Sequence, residues 1–231
     1  MATNYNPSIV IDGLRFCLDA ANTKSYPGSG TTWTDLSGKN HDGTLTNGPT
    51  FSSDNGGSIV FDGSNDHISS IGTATNLGIS NISSHFCFSV WFKTTGTSEY
   101  YMFDNWDGGV QDISFRLDNR QLEVYMNSGN TYAFANRFGN FNLGAWNQAV
   151  YSWNGSTKTI TCYINGENVG SASASSMSGD FESDTSFTIG KRPGGGGQFP
   201  GSMACVMLYN KSLTEAEVKQ NYNALKGRFG L

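Results

Sequence analysis

One stretch of the chain decides its fold class: Phe86-Cys87-Phe88-Ser89-Val90-Trp91-Phe92-Lys93. Its even-numbered positions, from Phe86 to Phe92, are all apolar. Because side chains of a strand point alternately to two faces, this spacing predicts a β-strand with an apolar inner face. Further runs of the same alternation recur at residues 14–18, 59–61, 113–117, 122–126, 146–153, 160–164, 187–189 and 203–208. The pattern predicts an all-β protein built of many short strands.

Composition supports this fold class and excludes others. The chain has 231 residues, of which 13% are aromatic and 14% charged, with 29 glycines. An average protein carries about 25% charged residues. Disordered chains lack aromatic residues, and coiled coils are rich in Ala, Glu, Lys, Leu and Arg, so neither class fits. No Pro-rich or polar linker interrupts the pattern, and we predict one domain over residues 1–231.

The net charge and the lack of long apolar segments exclude several classes of binding partner. The formal net charge is −5 and the pI about 5.1, with no cluster of Lys and Arg, so no nucleic-acid partner is expected. No apolar stretch approaches the ~18 residues of a membrane span, so no membrane partner is expected either. The polar start at residues 1–6 lacks a signal-peptide core, which predicts synthesis in a cytoplasm without a signal peptide. The four cysteines lie in apolar runs and are predicted to be reduced and buried, with a disulfide pair as the alternative.

One segment, residues 212–227, breaks the two-residue rhythm. Thr214-Glu215-Ala216-Glu217 fits a capping box, in which the Thr and the last Glu satisfy each other's backbone amides. Gly227 supplies a stop signal. One apolar face follows from the positions i, i+4 and i+7, occupied by Val218, Tyr222 and Leu225. The pattern predicts a short C-terminal helix that docks on the sandwich.

Several motifs, in this order along the chain, resemble those of laminin-G-like domains. They are Phe61-Asp62-Gly63-Ser64-Asn65-Asp66-His67-Ile68, Phe88-Ser89-Val90-Trp91-Phe92-Lys93, Trp146-Asn147-Gln148-Ala149-Val150 with Tyr163-Ile164-Asn165-Gly166, and Leu208-Tyr209-Asn210-Lys211-Ser212-Leu213-Thr214. The resemblance covers residues 14–225. It implies a concanavalin A-like jelly-roll β-sandwich of two antiparallel sheets. The chain departs from the family at Ala204, where members often carry an Asp, and this disfavours a calcium site that uses that residue.

The ends resemble a narrower group, the laminin-G-like proteins encoded by tailed phages of aquatic bacteria. The matching stretches are residues 13–22, 25–31, 33–38 and 223–229. This resemblance implies a virion structural or surface protein, as a head decoration, fibre or tail appendage. Its partners would be other virion proteins of the capsid or fibre, and it would be oligomeric or assembled on a particle. Trp33 and Trp106 are predicted to be exposed and to offer contacts to such a partner.

Weak binding of a host surface glycan is compatible with that role. An alternative is a carbohydrate-binding adhesin or lectin module not tied to a virion, and a remote alternative is a glycan-active enzyme. Glycan hydrolases of the superfamily carry Glu-x-Asp-x-x-Glu on one strand, which places their carboxylates on one face. No glutamate of this chain heads such a motif. We therefore predict no catalytic residues and no enzymatic activity.

A glycan site would need an aromatic platform for the sugar ring and polar side chains for its hydroxyls. Tyr100, Asn105, Trp106 and Asp107 offer both within one short segment and are the predicted glycan-binding residues. The alternative is that these residues form a core strand followed by a turn that ends in glycine.

A second segment, residues 35–43, is rich in oxygen ligands of the kind that Ca²⁺ prefers. Asp35 and Asp42 are the predicted ligands of a structural calcium, the one cofactor considered. The spacing is not that of an EF-hand, since the Glu at the twelfth position is missing. The alternative is an ordered loop of Asx turns without metal.

Four glycines, Gly194-Gly195-Gly196-Gly197, precede the last strand. Their backbone freedom predicts a mobile surface loop. A phosphate-binding role is not expected, because no Lys-Ser or Lys-Thr follows and no helix begins there.

Overall fold

The computed structural model describes residues 8–106, 112–128, 133–181 and 184–231. Within these ranges the chain forms fifteen strands, two α-helices and two short 3-10 turns. The strands are β1 (Leu14–Asp19), β2 (Thr32–Trp33), β3 (Gly43–Thr46), β4 (Thr50–Ser52), β5 (Ser58–Asp62), β6 (His67–Ser69), β7 (Phe86–Lys93), β8 (Tyr100–Asp104), β9 (Asp112–Asp118), β10 (Gln121–Asn127), β11 (Ala133–Phe138), β12 (Trp146–Asn154), β13 (Thr159–Ile164), β14 (Glu167–Ser173) and β15 (Pro200–Tyr209). The helices are α1 (Ala74–Leu77) and α2 (Glu215–Leu225), and the 3-10 turns are Asp54–Gly56 and Lys226–Phe229.

The larger sheet has eight antiparallel strands, in the order β14-β13-β12-β7-β15-β5-β4 with β1 also paired to β15. Strand β15 pairs with β5 through its first residues, Pro200–Met203, and with β1 through Cys205–Tyr209. The stretch that opened the sequence analysis forms β7, next to β12 and β15 in the middle of this sheet. Its stripe from Phe86 to Phe92 is fully buried, as the alternation predicts.

The opposing layer is divided into two antiparallel sheets. Strands β11-β10-β9-β8 form a four-stranded sheet, and β2-β3-β6 form a three-stranded one. Single bridges join Thr188 to Asp104 of β8 and Ile189 to Ile68 of β6, so the short run at residues 187–189 links the two sheets. The prediction of a concanavalin A-like sandwich of antiparallel sheets is confirmed, with one layer split in two.

Aromatic rings fill the space between the layers. Phe88 of β7 stacks on Phe103 of β8 with 4.7 Å between ring centroids, and Phe103 stacks on Phe187 at 4.0 Å. Such pairs add to the hydrophobic stabilisation that burial of these large side chains already provides. Trp33 belongs to this core and is fully buried. The prediction that Trp33 is exposed is therefore wrong, because its strand β2 turns the indole toward the interior.

Helix α2 covers the other face of the larger sheet. Its predicted start is confirmed, since Thr214 accepts a hydrogen bond from the Glu217 amide and the Glu217 carboxylate accepts one from the Thr214 amide. Gly227 does not end the segment: a 3-10 turn continues through Phe229 and ends at Gly230, whose φ is 74°. The extra turn places the Phe229 ring against Trp91, with 4.3 Å between centroids.

The four cysteines are all buried and unbonded, which agrees with the prediction of reduced thiols. Burial raises the pKa of the Cys87 thiol to about 12. No helix of the described residues combines the length and the apolar character that crossing a bilayer requires.

Candidate functional site

A bulge in β8 creates the candidate site. The register between β8 and β9 shifts between Tyr101 and Phe103, so one extra residue is accommodated in β8. As a result Met102 and Phe103 both belong to the core, although they are consecutive. Tyr101 and Asp104 then share the outer face of the four-stranded sheet, the face turned away from the core.

A pocket of about 290 Å³ opens on this face. We call it the outer-face pocket, and it is lined by Glu99, Tyr101, Asp104, Trp106, Ser114, Arg116, Tyr125 and Arg192. Strands β8, β9 and β10 supply its floor, because Tyr101 pairs with Arg116 and Ser114 with Tyr125 across neighbouring strands. The segment after the bridge at residues 187–189 supplies Arg192 from the side.

Arginine and aromatic side chains alternate through the pocket. The Arg192 guanidinium carbon lies 3.9 Å from the ring centroid of Trp106 and 5.5 Å from that of Tyr101. The Arg116 guanidinium carbon lies 5.2 Å from the centroid of Tyr101 and 4.8 Å from that of Tyr125. Contacts of this kind hold a guanidinium in a fixed plane and contribute about 0.5–2 kcal/mol each. The pocket therefore has a wall of stacked rings and cations.

Ion pairs extend from this wall across the sheet. Arg116 lies 2.8 Å from a carboxylate oxygen of Glu99 and 3.7 Å from one of Glu123. Glu123 also contacts Arg137 of β11 at 3.1 Å, and Arg137 pairs with Asp118. Because Arg116 and Glu123 are largely shielded from solvent, this network fixes the side chains on the outer face more firmly than isolated surface pairs would.

Asp104 is fully buried at the base of the outer-face pocket. Its Oδ1 accepts a hydrogen bond of 2.8 Å from the Trp106 amide, whereas its Oδ2 has no hydrogen-bond partner among the described residues. Burial raises the pKa of the Asp104 carboxyl from 3.8 to about 6, against the opposing effects of Ser114, the Trp106 amide and both pocket arginines. The Ser114 hydroxyl opposite is also buried and interacts with the Asp104 carboxyl, but neither Ser114 Oγ nor Asp104 Oδ2 has a hydrogen bond of regular geometry in the described part of the chain. A buried acceptor and a buried hydroxyl thus remain for a polar ligand.

The glycine run forms one edge of the pocket. The Gly197 carbonyl accepts a 3.0 Å hydrogen bond from the Tyr101 amide, and a Cβ at Gly197 would lie 2.1 Å from the Tyr101 ring. Gly195 donates its amide to the Arg192 carbonyl at 2.9 Å and accepts from Arg192 Nε at 3.0 Å. Only glycine allows this approach, so the run packs against the site and holds Arg192 in place.

The structure describes three of the four predicted glycan-binding residues and places these three in different surroundings. Trp106 lines the outer-face pocket. Tyr100 instead packs edge-on against Phe199, at 6.2 Å between centroids. Asn105 is fully buried and its Oδ1 accepts the Ile113 amide at 2.8 Å, which ties the end of β8 to β9. Asp107 lies outside the described residues.

Sequence reasoning missed the other pocket residues because the bulge breaks the alternation of β8. A signal was present in the hairpin of β9 and β10: Ser114, Arg116 and Tyr125 occupy positions between the apolar ones. Alternate polar and aromatic positions on two paired strands indicate a face that is not buried in the core. Arg192 carries no such signal, since it follows the regular strands.

The predicted calcium ligands organise a loop. Asp35 Oδ1 accepts the amides of Cys17 and Ser37 at 2.9 and 2.8 Å, and its Oδ2 accepts the Ser37 hydroxyl at 2.7 Å and the His41 amide at 3.2 Å. Asp42 accepts the Asp35 amide at 2.7 Å. The described residues contain no group of three or more His, Cys, Asp or Glu side chains that could hold a metal. This geometry fits the loop of Asx turns, and structural calcium stays a prediction.

Comparison with known families gives one match. A family described as Laminin_G_3, of the concanavalin A-like lectin/glucanases superfamily, matches residues 62–219, which is more than half of the chain. No curated protein matches the chain.

Solved structures share the fold at low sequence identity. The binding domain of botulinum neurotoxin serotype D has a TM-score of 0.70 at 13% identity, covering 92% of this chain and 52% of that one. The binding domain of botulinum neurotoxin DC in complex with SialylT also has a TM-score of 0.70, at 12% identity, covering 93% and 52%. Domain 4 of AbnA, a GH43 extracellular arabinanase from Geobacillus stearothermophilus, in complex with arabinotriose, has a TM-score of 0.70 at 18% identity, covering 90% and 98%. This chain thus spans about half the length of the neurotoxin binding domains and nearly all of the arabinanase domain.

Proposed function

Because this chain belongs to the laminin-G-like family of the concanavalin A-like lectin and glucanase superfamily, we propose that it is a non-catalytic carbohydrate-binding domain whose sugar site is the outer-face pocket. The observation that carries the proposal is the combination of a ring wall with a buried, half-satisfied carboxylate. Trp106 and Tyr125 offer apolar surface to a sugar ring. Asp104 Oδ2 offers a buried acceptor to a sugar hydroxyl, and filling it removes the cost of an unpaired buried group.

The arabinanase domain supports this proposal. It is in complex with arabinotriose and is matched over 98% of its length, so it is a domain of this size and fold with a saccharide bound. The fold alone does not fix function, so the proposal depends on the pocket residues.

The lack of catalysis is also part of the proposal. Glycoside hydrolysis requires two carboxyl groups about 5–9.5 Å apart, one of which reaches the sugar as a free acid or nucleophile. In the outer-face pocket, Glu99 is ion-paired with Arg116, and the superfamily's Glu-x-Asp-x-x-Glu spacing does not occur in the sequence. These features favour binding over turnover.

We further propose that the domain is displayed on a phage virion. The support is the resemblance of residues 13–22, 25–31, 33–38 and 223–229 to virion proteins of tailed phages. In this setting helix α2, which covers the larger sheet, and the sheet edges would meet other virion proteins, and the outer-face pocket would remain open to a host surface glycan. The expected result is stoichiometric copies of the chain in mass spectra of purified particles. Its absence from the particles would leave a binding module not tied to a virion.

The sugar site is tested by glycan-array screening of the purified chain, followed by calorimetry with the best saccharide. We expect Trp106→Ala to weaken binding at least about fivefold, because it removes a stacking surface worth roughly 1 kcal/mol or more and releases Arg192. Phe51→Ala is the matched control, since Phe51 is a half-buried ring on β4 outside the pocket. No saccharide binding by the wild type, or equal losses in the two variants, would reject the site. Release of shortened saccharides would reject the non-catalytic assignment.

A further inference from the structure

The two arginines of the outer-face pocket differ in their partners. Arg116 is held by two carboxylates, Glu99 and Glu123. Arg192 lowers the pKa of the nearby Asp104 carboxyl through its charge, but it forms no direct ion pair with a carboxylate of the described residues. It is nevertheless half-buried, stacked on Trp106 and tied through Nε to the Gly195 carbonyl. A cation that is shielded in this way gains most from an anionic partner.

The free edge of Arg192 has a defined shape. Its Nε is already used, so the two terminal nitrogens remain as a planar pair of donors. Such a pair matches the two oxygens of a carboxylate or sulfate group and binds them more strongly than it binds a hydroxyl. Because the ring of Trp106 and the glycine turn fix its plane, little side-chain entropy remains to be lost on binding.

The rest of the pocket fits an uncharged part of the same ligand. Asp104 Oδ2 can accept a hydrogen bond from a sugar hydroxyl, and the Ser114 hydroxyl beside it can donate one. The Tyr125 ring lies beyond Arg116 and provides an apolar surface. The pocket volume of about 290 Å³ lies just below the roughly 300–1,000 Å³ of most small-molecule sites, which suits a short saccharide.

We infer that the outer-face pocket selects acidic saccharides, whose carboxylate or sulfate group pairs with Arg192 while a ring hydroxyl meets Asp104. This inference rests on the proposed function, because it names the class of sugar bound at the same site. The shared chemistry is an oxyanion attached to a sugar ring. Carboxylated and sulfated saccharides are therefore separate arms of the test.

The test is a glycan array holding neutral, carboxylated and sulfated saccharides, followed by calorimetry with the strongest acidic ligand and its neutral counterpart. We expect the acidic ligand to bind at least about tenfold more tightly than its neutral counterpart, and Arg192→Gln to remove this difference. Arg192→Lys keeps the charge without the planar pair of donors and should fall between the two. Lys191→Gln removes the neighbouring positive charge, which does not line the pocket, and should match the wild type.

The outcomes separate the inference from the proposed function. If neutral saccharides bind as tightly as acidic ones, or if Arg192→Gln behaves like Lys191→Gln, the acidic preference is wrong while the sugar site stands. If no saccharide binds, the proposed function fails as well. Melting temperatures of all variants are compared with the wild type, and Arg192→Lys decides the question should Arg192→Gln not fold.

Discussion

The eight-stranded and the four-stranded sheets of this sandwich differ in what lies on their outer faces. The larger sheet carries Trp91, Met207 and Tyr209 on its outer face, and helix α2 with the turn through Phe229 covers them. The four-stranded sheet carries Arg116, Glu123 and Tyr125 instead, and no described helix covers it. One outer face is thus a second hydrophobic core, and the other is a polar surface with a pocket.

The difference begins in the residues that alternate with the inner stripe. In β7 these are Cys87, Ser89 and Trp91, and a strand that is apolar on both sides must be buried on both sides. In β9 they are Ser114 and Arg116, which need water or polar partners. The inner stripe is apolar in both sheets, so the residues on the outer face of each strand determine whether that face is covered by a helix or stays open as a possible binding surface.

The largest expected effect comes from breaking the covered face. Trp91 is fully buried between Phe229 and Tyr222, with ring centroids at 4.3 and 5.6 Å. Trp91→Ala should lower the free energy of unfolding by about 3–5 kcal/mol, because it leaves a cavity beneath the helix. Tyr125→Ala, at an aromatic residue of the open face, should cost about 1 kcal/mol. Urea unfolding of both variants measures the two losses in the free energy of unfolding. Similar losses would mean that side chains on the open face contribute as much to stability as those on the covered face.

The second prediction concerns the open face and the effect of pH on the stability of the folded chain. The Asp104 carboxyl has a pKa of about 6 in the folded chain against an ordinary value of 3.8. Between these two values the folded state keeps a proton that the unfolded state has released, so stability falls as the pH rises from about 4 to 6 and stays low above it. At about 1.4 kcal/mol per pH unit, the loss is about 3 kcal/mol.

Asp104→Asn should remove this pH dependence and stabilise the folded chain at pH 7 by up to about 3 kcal/mol, while weakening the binding of a saccharide at the same site. Thermal unfolding at pH 4, 5, 6 and 7 is the measurement. Asp54→Asn, at an exposed residue, is the control. A variant that keeps the pH dependence of the wild type would show that Asp104 is not the group responsible.

Periodic and local patterns in the sequence predicted the inner stripe and the capped helix, whereas the sandwich was predicted from the resemblance to laminin-G-like domains. The prediction of the stripe from Phe86 to Phe92, and of the helix cap formed by Thr214 and Glu217, required no knowledge of distant residues. The end of the helical segment could not be predicted in this way. Gly227 carries a stop signal, but burial of Phe229 against Trp91 favours one further turn.

The candidate site was harder to predict because it depends on a single bulge. Strict alternation would place Asp104 on the same face as Tyr100, whereas the extra residue at the bulge puts it with Tyr101. Arg192 joins the pocket only through the bridge at residues 187–189 and the close approach of Gly197 to Tyr101. Trp106 alone of the predicted glycan-binding residues lines the pocket in the described part of the chain.

The prediction with the smallest expected effect concerns the N-terminal cap of helix α2, which covers the larger sheet. Thr214 caps α2 by accepting the Glu217 amide, and Thr73 caps the four-residue α1 by accepting the Asn76 amide. Thr214→Ala should cost about 1 kcal/mol and raise the hydrogen-exchange rates of the α2 amides, because an orphaned amide loosens the first turn of the cover. Thr73→Ala should leave the exchange rates of α2 unchanged, and Thr214→Ser should restore them. If Thr214→Ser exchanges as fast as Thr214→Ala, the cap does not hold the cover, and packing of Val218 and Phe229 alone accounts for the covered face.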